Sequence, residues 1–282
     1  MCIVAWLWQD HPLYPLILLH NRDEFHDRYD ETYAEDLNGV RPTDPVGWWG
    51  KGTKILGGRD GLCGGTWLGC TRDGRLAFLT NVLEPDVLPC ARTRGDLPLR
   101  FLQGRMSPLE FAEELKEEAN EYNGFNLIVA DISAKLMVYV SNRPKGEPVT
   151  IQMVSPGLHV LSNAKLDTSW HKAQCLRTGF INLILNYGDE EVIHPKDMIE
   201  KLMCDTTKAD RESLPNTGCD LDWELNLSSI FVEVKTKLGL YGTRSSAALT
   251  VKADGNVSFY EKYLENEVWK EHTVAYDTEK IR

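Results

Sequence analysis

The chain opens on an unbroken apolar run, residues 2–8, rich in β-branched and aromatic side chains, which predicts a buried strand. Asp10-His11-Pro12 is a turn signal. Residues 14–20 are a second apolar run, and the polar cluster Asn21-Arg22-Asp23-Glu24 ends it. A hairpin centred near His11 or Pro12 sets residue 2 opposite residue 21 or 22. Further on, residues 54–59, 66–71 and 75–82 read as strands, with Arg72-Asp73-Gly74 as a tight turn between the last two. Gly57, Gly58, Gly64, Gly65 and Gly69 cluster there and permit close backbone approach.

Helical signals follow. Residues 96–103 form a short helix. Ser107-Pro108-Leu109-Glu110 opens a longer one, with a capping serine, proline at the first helical position and glutamate three residues past the cap. Phe111, Leu115 and Ala119 share one face of it, and Gly124 ends it. Strands are predicted at 125–131, 135–141 and 158–162, and helices at 169–186 and 195–204. Strands at 229–234, 240–252 and 256–264 follow, the last two joined at Asp254-Gly255. Strands come in antiparallel pairs and helices are grouped between them, so the class is α+β in one domain, with two sheets face to face and helices outside. Residues 29–46 are acidic and aperiodic, and are expected to form a surface loop.

Composition narrows the function. A chain of 282 residues is long enough for one large core, and a net charge of -11 argues against a nucleic-acid partner. The seven cysteines are odd in number and scattered, without Cys-x-x-Cys, which fits reduced thiols in a cytoplasmic compartment. Asp10 and His11 interrupt the apolar start, so no signal peptide is expected, and no stretch approaches the ~20 apolar residues of a membrane span. The seven histidines are dispersed, and no His or Cys spacing points to a metal or to attached haem.

Candidate chemistry lies at the start. Cysteine is small enough that removal of Met1 is expected, leaving a thiol and an α-amine on one residue, with ordinary pKa values near ~8.5 and ~7.7–8.0. A nucleophile carrying its own base suits amide hydrolysis. Arg22 would lower the thiol pKa, and Asp23 would orient the amine.

Together, Asn21-Arg22-Asp23-Glu24, Trp48-Trp49-Gly50, Gly57-Gly58-Arg59-Asp60, Gly65-Thr66-Trp67-Leu68-Gly69, Leu79-Thr80-Asn81, Thr93-Arg94-Gly95, Leu161-Ser162-Asn163 and Tyr241-Gly242-Thr243-Arg244-Ser245 resemble the motifs of the NRDE family, the transport-and-Golgi-organisation protein 2 group. That family usually runs His-Asp-Arg-Pro-Thr; here residues 29–41 separate Asp27-Arg28 from Pro42-Thr43, like an insertion. The resemblance implies the four-layer αββα sandwich of N-terminal-nucleophile hydrolases. By analogy with the cysteine amidases of that fold, Cys2 would be nucleophile and base, Asp23 would hold the amine, and Asn81 and Asn163 would orient the amine or donate to an oxyanion. Arg244 would face the nucleophile. Those amidases carry an arginine three residues before the aspartate; here His20 stands there and Arg22 is adjacent to Asp23. Asn21, Trp49 and Trp67 are the expected ligand contacts.

Two readings follow. The family's association with Golgi organisation, secretion, mitochondria and haem or lipid handling implies a protein that binds a small apolar ligand, haem or an acyl lipid, as cargo, with no cofactor required. The alternative is an N-terminal cysteine amidohydrolase acting on a lipid-like or acyl amide. A scaffold acting through its surface is a third, for which no surface stands out. Cys2, Asp23, Asn81, Asn163 and Arg244 are expected to converge in one cleft. Deleting residues 29–41 is expected to leave the thermal midpoint nearly unchanged, measured by scanning calorimetry.

Overall fold

The computed structural model describes residues 2–26, 43–52, 54–61, 63–188 and 192–279. Its first sheet runs in the order β10-β1-β2-β12-β13-β14, with β11 pairing the start of β12; the strands are β1 (Ile3–Trp8), β2 (Leu16–Phe25), β10 (Gly157–Leu161), β11 (Glu233–Thr236), β12 (Gly239–Val251), β13 (Asn256–Glu265) and β14 (Val268–Asp277). The second sheet is a meander in chain order: β3 (Thr43–Trp49), β4 (Ile55–Asp60), β5 (Leu68–Thr71), β6 (Arg75–Asn81), β7 (Phe125–Asp131), β8 (Leu136–Ser141) and β9 (Thr150–Met153). All strand pairs within the two sheets are antiparallel.

Side-chain alternation divides the interior into three cores. Val4, Trp6, Trp8, Leu16 and Leu18 face the second sheet, meeting Leu56, Phe78 and Ile128. Ile3, Ala5, Leu7, Ile17 and Leu19 point the other way, against α3 (His171–Tyr187) and α4 (Pro195–Leu202). The outer face of the second sheet is covered by α1 (Asp96–Gln103) and α2 (Pro108–Glu118), through Leu97, Phe101, Phe111 and Leu115. The order of layers is therefore α, β, β, α. α2 begins with the expected capping box: Ser107 accepts from the Glu110 amide, and Glu110 accepts from the Ser107 amide at 2.8 Å.

Several expectations change. The strand of the second apolar run does not stop at Asn21 but continues through Phe25, because β12 pairs it from Leu16 to Phe25. Residues 43–46, expected in the loop, belong to β3; this edge strand tolerates Pro45 at a register shift between Asp44 and Gly47. The expected insertion at 29–41 lies outside the described residues. Residues 229–232 are not strand, since the Ile230 carbonyl there accepts from Asn21 instead of a ladder partner. β9, β14 and the short α5 (Leu221–Asn226) had no counterpart in the pattern.

A buried polar contact of Glu261 is one of those that join the sheets. The register shift leaves the Val46 amide outside the β3–β4 ladder, and it donates to Glu261 Oε2 of β13 at 2.7 Å. Glu261 is fully buried, and that burial pushes its pKa up to about 7, against the pull of the Val46 amide, Ser245 and the Arg22 charge.

Two predictions follow from this packing. Trp6 is fully buried edge-on to Phe78, with ring centroids 5.1 Å apart, so Trp6→Ala should cost about 3–5 kcal/mol in urea unfolding. Glu261 has a folded pKa above its unfolded one, so its contribution is fully present below the unfolded value and declines as pH rises towards about 7. Glu261→Gln keeps an acceptor for Val46 without the charge. It should flatten that decline and raise the thermal midpoint at pH 8, by roughly 2–4 °C for each kcal/mol recovered.

Candidate active site

The β1–β2 register pairs Ile3 with Asn21, so Cys2, one step further, comes beside Arg22. Both residues project towards the second sheet, where the end of β6 meets them. The resulting cleft, about 330 Å³, has Cys2, Arg22, Asp23, Trp67, Asn81 and Arg94 among its walls. Its size is that of a small-molecule site.

Arg22 is buried and lies over Trp67, its guanidinium carbon 4.0 Å from the ring centroid, with Glu24 at 3.9 Å. Trp67 can lie there because Gly58 faces it; a Cβ on Gly58 would come within 2.3 Å of the ring. The opposite wall depends on a second close approach. A Cβ on Gly65 would meet the Gly95 carbonyl carbon at 2.5 Å, and the Thr66 amide donates to the Gly95 carbonyl at 3.0 Å. That contact holds Arg94, which donates to the Gly124 carbonyl at 3.0 Å and feels the charges of Glu84, Cys2 and Glu24.

Burial raises the Cys2 thiol pKa and the Asp23 charge adds to the rise, while the Asp23 backbone amide and the Arg22 charge draw it down. Asp23 is likewise pushed up by burial, opposed by the Lys172 ammonium and by Thr243, whose hydroxyl donates to Asp23 Oδ1 at 2.7 Å. Asn163 is buried behind the cleft and donates from Nδ2 to the Asn81 carbonyl at 2.7 Å. The oxygen of Ser162 lies 3.1 Å from the Cys2 carbonyl and 2.8 Å from Asn163 Oδ1. The ends of β1, β6 and β10 are thus tied together around Cys2.

The sequence-predicted residues separate into groups. Cys2, Arg22, Asp23, Asn81 and Trp67 line the same cleft, with Asn163 directly behind it. Arg244 does not line it. A β-bulge between Thr243 and Ser245 carries Arg244 to a neighbouring cleft of about 400 Å³, with Glu261 and Tyr263 on its walls and Arg22 shared between the two. Asn21 faces away and is fully buried, its amide donating to the carbonyls of Met203 at 2.8 Å and Ile230 at 3.0 Å, so it clamps the helical layer and is not on the cleft wall. Trp49 donates to the Gly57 carbonyl at 2.9 Å and packs on the outer core, away from Cys2. His20 is buried between the sheets, and burial, helped by Arg22, holds its pKa down to about 3. It is therefore neutral and does not replace a cation.

Two residues placed at the site escaped the sequence reading. Arg94 lay within the Thr93-Arg94-Gly95 motif but was given no role. Lys172, 3% exposed, is on α3 four residues before Leu176 and eight before Phe180, along that helix's buried stripe. A lysine in phase with an apolar stripe was the available signal. Among the described residues no group of His, Cys, Asp and Glu is arranged to hold a metal ion, and no helix is long and apolar enough to cross a membrane.

Comparison with solved structures gives distant likenesses. A conjugated bile acid hydrolase variant from Clostridium perfringens is 9% identical, with TM-score 0.48, covering 98% of this chain and 97% of that one. A Caenorhabditis elegans N-acylethanolamine-hydrolyzing acid amidase ortholog is 16% identical, with TM-score 0.44, covering 71% of this chain and 85% of the other. Sequence relatives are nearer. The Transport and Golgi organization protein 2 homologs of Bos taurus and Homo sapiens are 34% and 33% identical over 277 residues, 94% of this chain and 93% of each relative. The family model described as Transport and Golgi organisation 2 matches residues 1–266, and the chain belongs to that family.

Proposed function

We propose that the protein is an N-terminal cysteine amidohydrolase that cleaves a small acyl amide, and that this chemistry serves a role in transport and Golgi organisation like the one its relatives are named for. The observation that carries the reading is the meeting of Cys2, Arg22, Asp23 and Asn81 on the walls of one small-molecule-sized cleft. With Met1 removed, the α-amine of Cys2 takes the thiol proton, and Sγ attacks the amide carbon. The oxyanion formed needs a donor. The side-chain amide of Asn81, which makes no hydrogen bond among the described residues, is placed to serve. The protonated α-amine gives its proton to the leaving nitrogen as the C–N bond breaks, leaving a thioester on Cys2. Water, deprotonated by the same amine, adds to the thioester. The carboxylic acid leaves, and the thiolate regains its proton. Asp23 accepts from the amine throughout and orients it.

A cargo reading draws on a different feature. A groove of about 530 Å³ on the far side of Asn163, with Val82, Leu83, Trp170 and Pro215 among its walls, offers more apolar surface than the cleft at Cys2. It suits an acyl lipid. For haem the Cys2 cleft offers the thiols of Cys2 and Cys63 and no histidine as axial ligand, and charged Arg22, Asp23, Glu24, Asp60, Arg92 and Arg94 stand among its walls.

The test uses purified protein whose mass confirms loss of Met1, incubated with a long-chain acyl amide. Wild type should release free acid and amine and show a transient acyl adduct on Cys2. Cys2→Ala should lose turnover by at least ~10³-fold while binding the amide with nearly unchanged affinity. Turnover that survives Cys2→Ala would falsify the amidase reading. Unchanged complementation of a null cell line by Cys2→Ala, alongside saturable binding of the lipid, would support cargo binding.

A further inference from the structure

Lys172 has no role in the steps above, yet its side chain is enclosed at the back of the site. It lies in the first turn of α3, its ammonium 3.5 Å from Asn163 Oδ1 and within electrostatic reach of Asp23 and Cys2. An ammonium out of water costs several kcal/mol unless other charges and dipoles compensate. Lysine is also a poor way to fill an apolar stripe, since Leu or Met would pack there without that cost.

We propose that Lys172 is a positioning residue for the Cys2 site, holding Asp23 ionised and fixing Asn163 so that the thiol and amine of Cys2 are presented in reactive form. The proposal rests on the amidase reading for its purpose, though not for its geometry.

The hydrogen-bond arithmetic supports it. Ser162 has one hydroxyl proton and two acceptors nearby, the Cys2 carbonyl and Asn163 Oδ1. A donation from Lys172 satisfies Asn163 Oδ1 and frees the Ser162 proton for Cys2. Lys172 as the donor to Oδ1 fixes the amide orientation, leaving Nδ2 on the Asn81 carbonyl. Lys172 thus acts on the nucleophile through Ser162, on the cleft wall through Asn163 and Asn81, and on the amine's partner through charge. Without it, Asp23 would be a buried acid with its pKa driven further up, and a protonated Asp23 no longer holds an ammonium.

The charged and titratable groups facing Cys2 and Lys172 come from every layer around them. Arg22, Asp23 and Glu24 lie on β2, Tyr241 on β12 and Arg94 before α1, while Glu224 of α5 lines the small cavity that Lys172 borders. Lys172 is the cation that reaches Asp23 from the helical side.

The experiment follows iodoacetamide alkylation of Cys2 against pH, read by peptide mass, together with steady-state hydrolysis of the acyl amide, on full-length wild type, Lys172→Met and Lys172→Gln. Lys172→Gln keeps a donor for Asn163 and loses the charge. Both variants should move the alkylation midpoint up by about 1–2 in pH. Both should lower kcat about tenfold or more with KM within twofold, and Lys172→Arg should recover part of the shift. An alkylation midpoint unchanged in a cooperatively folding Lys172→Gln would overturn the proposal, and this variant decides if Lys172→Met does not fold. A wild type without amide turnover but with a Lys172-dependent midpoint would remove the amidase reading and leave the positioning role standing. Turnover with a midpoint indifferent to Lys172 would do the reverse.

Discussion

Ile3 opposite Asn21 is the pairing on which the site rests. β1 and β2 are central strands, held on their outer sides by β10 and β12, so the three ladders they form fix their register. A shift of one residue would turn Trp6 and Trp8 from the inter-sheet core towards the helices and exchange the directions of Arg22 and Asp23. The apolar alternation that fixes the core therefore also fixes which polar groups stand near the thiol. Arg22 goes with the inter-sheet face and finds Trp67. Asn21 and Asp23 go with the helical face, where Asn21 binds the Met203 and Ile230 carbonyls and Asp23 meets Thr243 and Lys172.

Much of this was legible in the sequence, and the exceptions share physical causes. Apolar runs marked the central strands, and a capping box marked the start of α2 to the residue, although the helix ends at Glu118, short of the expected Gly124. The Asn21–Glu24 cluster read as a strand end because polarity usually means solvent. In the fold, Asn21, Arg22 and Asp23 are buried because each finds a specific partner across the sheet or against a helix. β14 was missed because its side chains from Val268 to Thr273 are exposed, and an exposed edge strand shows no two-residue alternation. Arg244 was expected beside Cys2; a bulge, invisible in the sequence, sends it to the next cleft. Lys172 was hidden for the opposite reason, since a charged residue in a buried stripe reads as noise until its partners are known.

The site gathers charges where water is scarce. Asp23 and Lys172 are almost completely enclosed, and Arg22 lies over an aromatic face. Such an arrangement is weak evidence of stabilisation, because desolvation consumes most of the attraction. It is better evidence of function, since perturbed groups collected beside a nucleophile are common in catalytic sites and uncommon in plain cores. The buried Glu261 is a contrast. It joins the sheets through a single amide and sits beside the neighbouring cleft, so its protonation affects the sandwich more than the thiol.

The contact of Gly65 with Gly95 has a consequence for how this cleft can diversify. At Gly65 the wall cannot be reshaped by exchanging a side chain, because a Cβ there would come within 2.5 Å of the Gly95 main chain, whereas a Cβ on Gly95 would meet its nearest atom, the Thr66 amide nitrogen, at 3.4 Å. Substitution can retune ligand preference only at positions whose side chains end in the open space, Trp67 and Arg92 among them. The span between the wall carrying Arg94 and the thiol is inherited with the backbone, so relatives that keep both glycines should differ in what lines the cleft and agree in how wide it is.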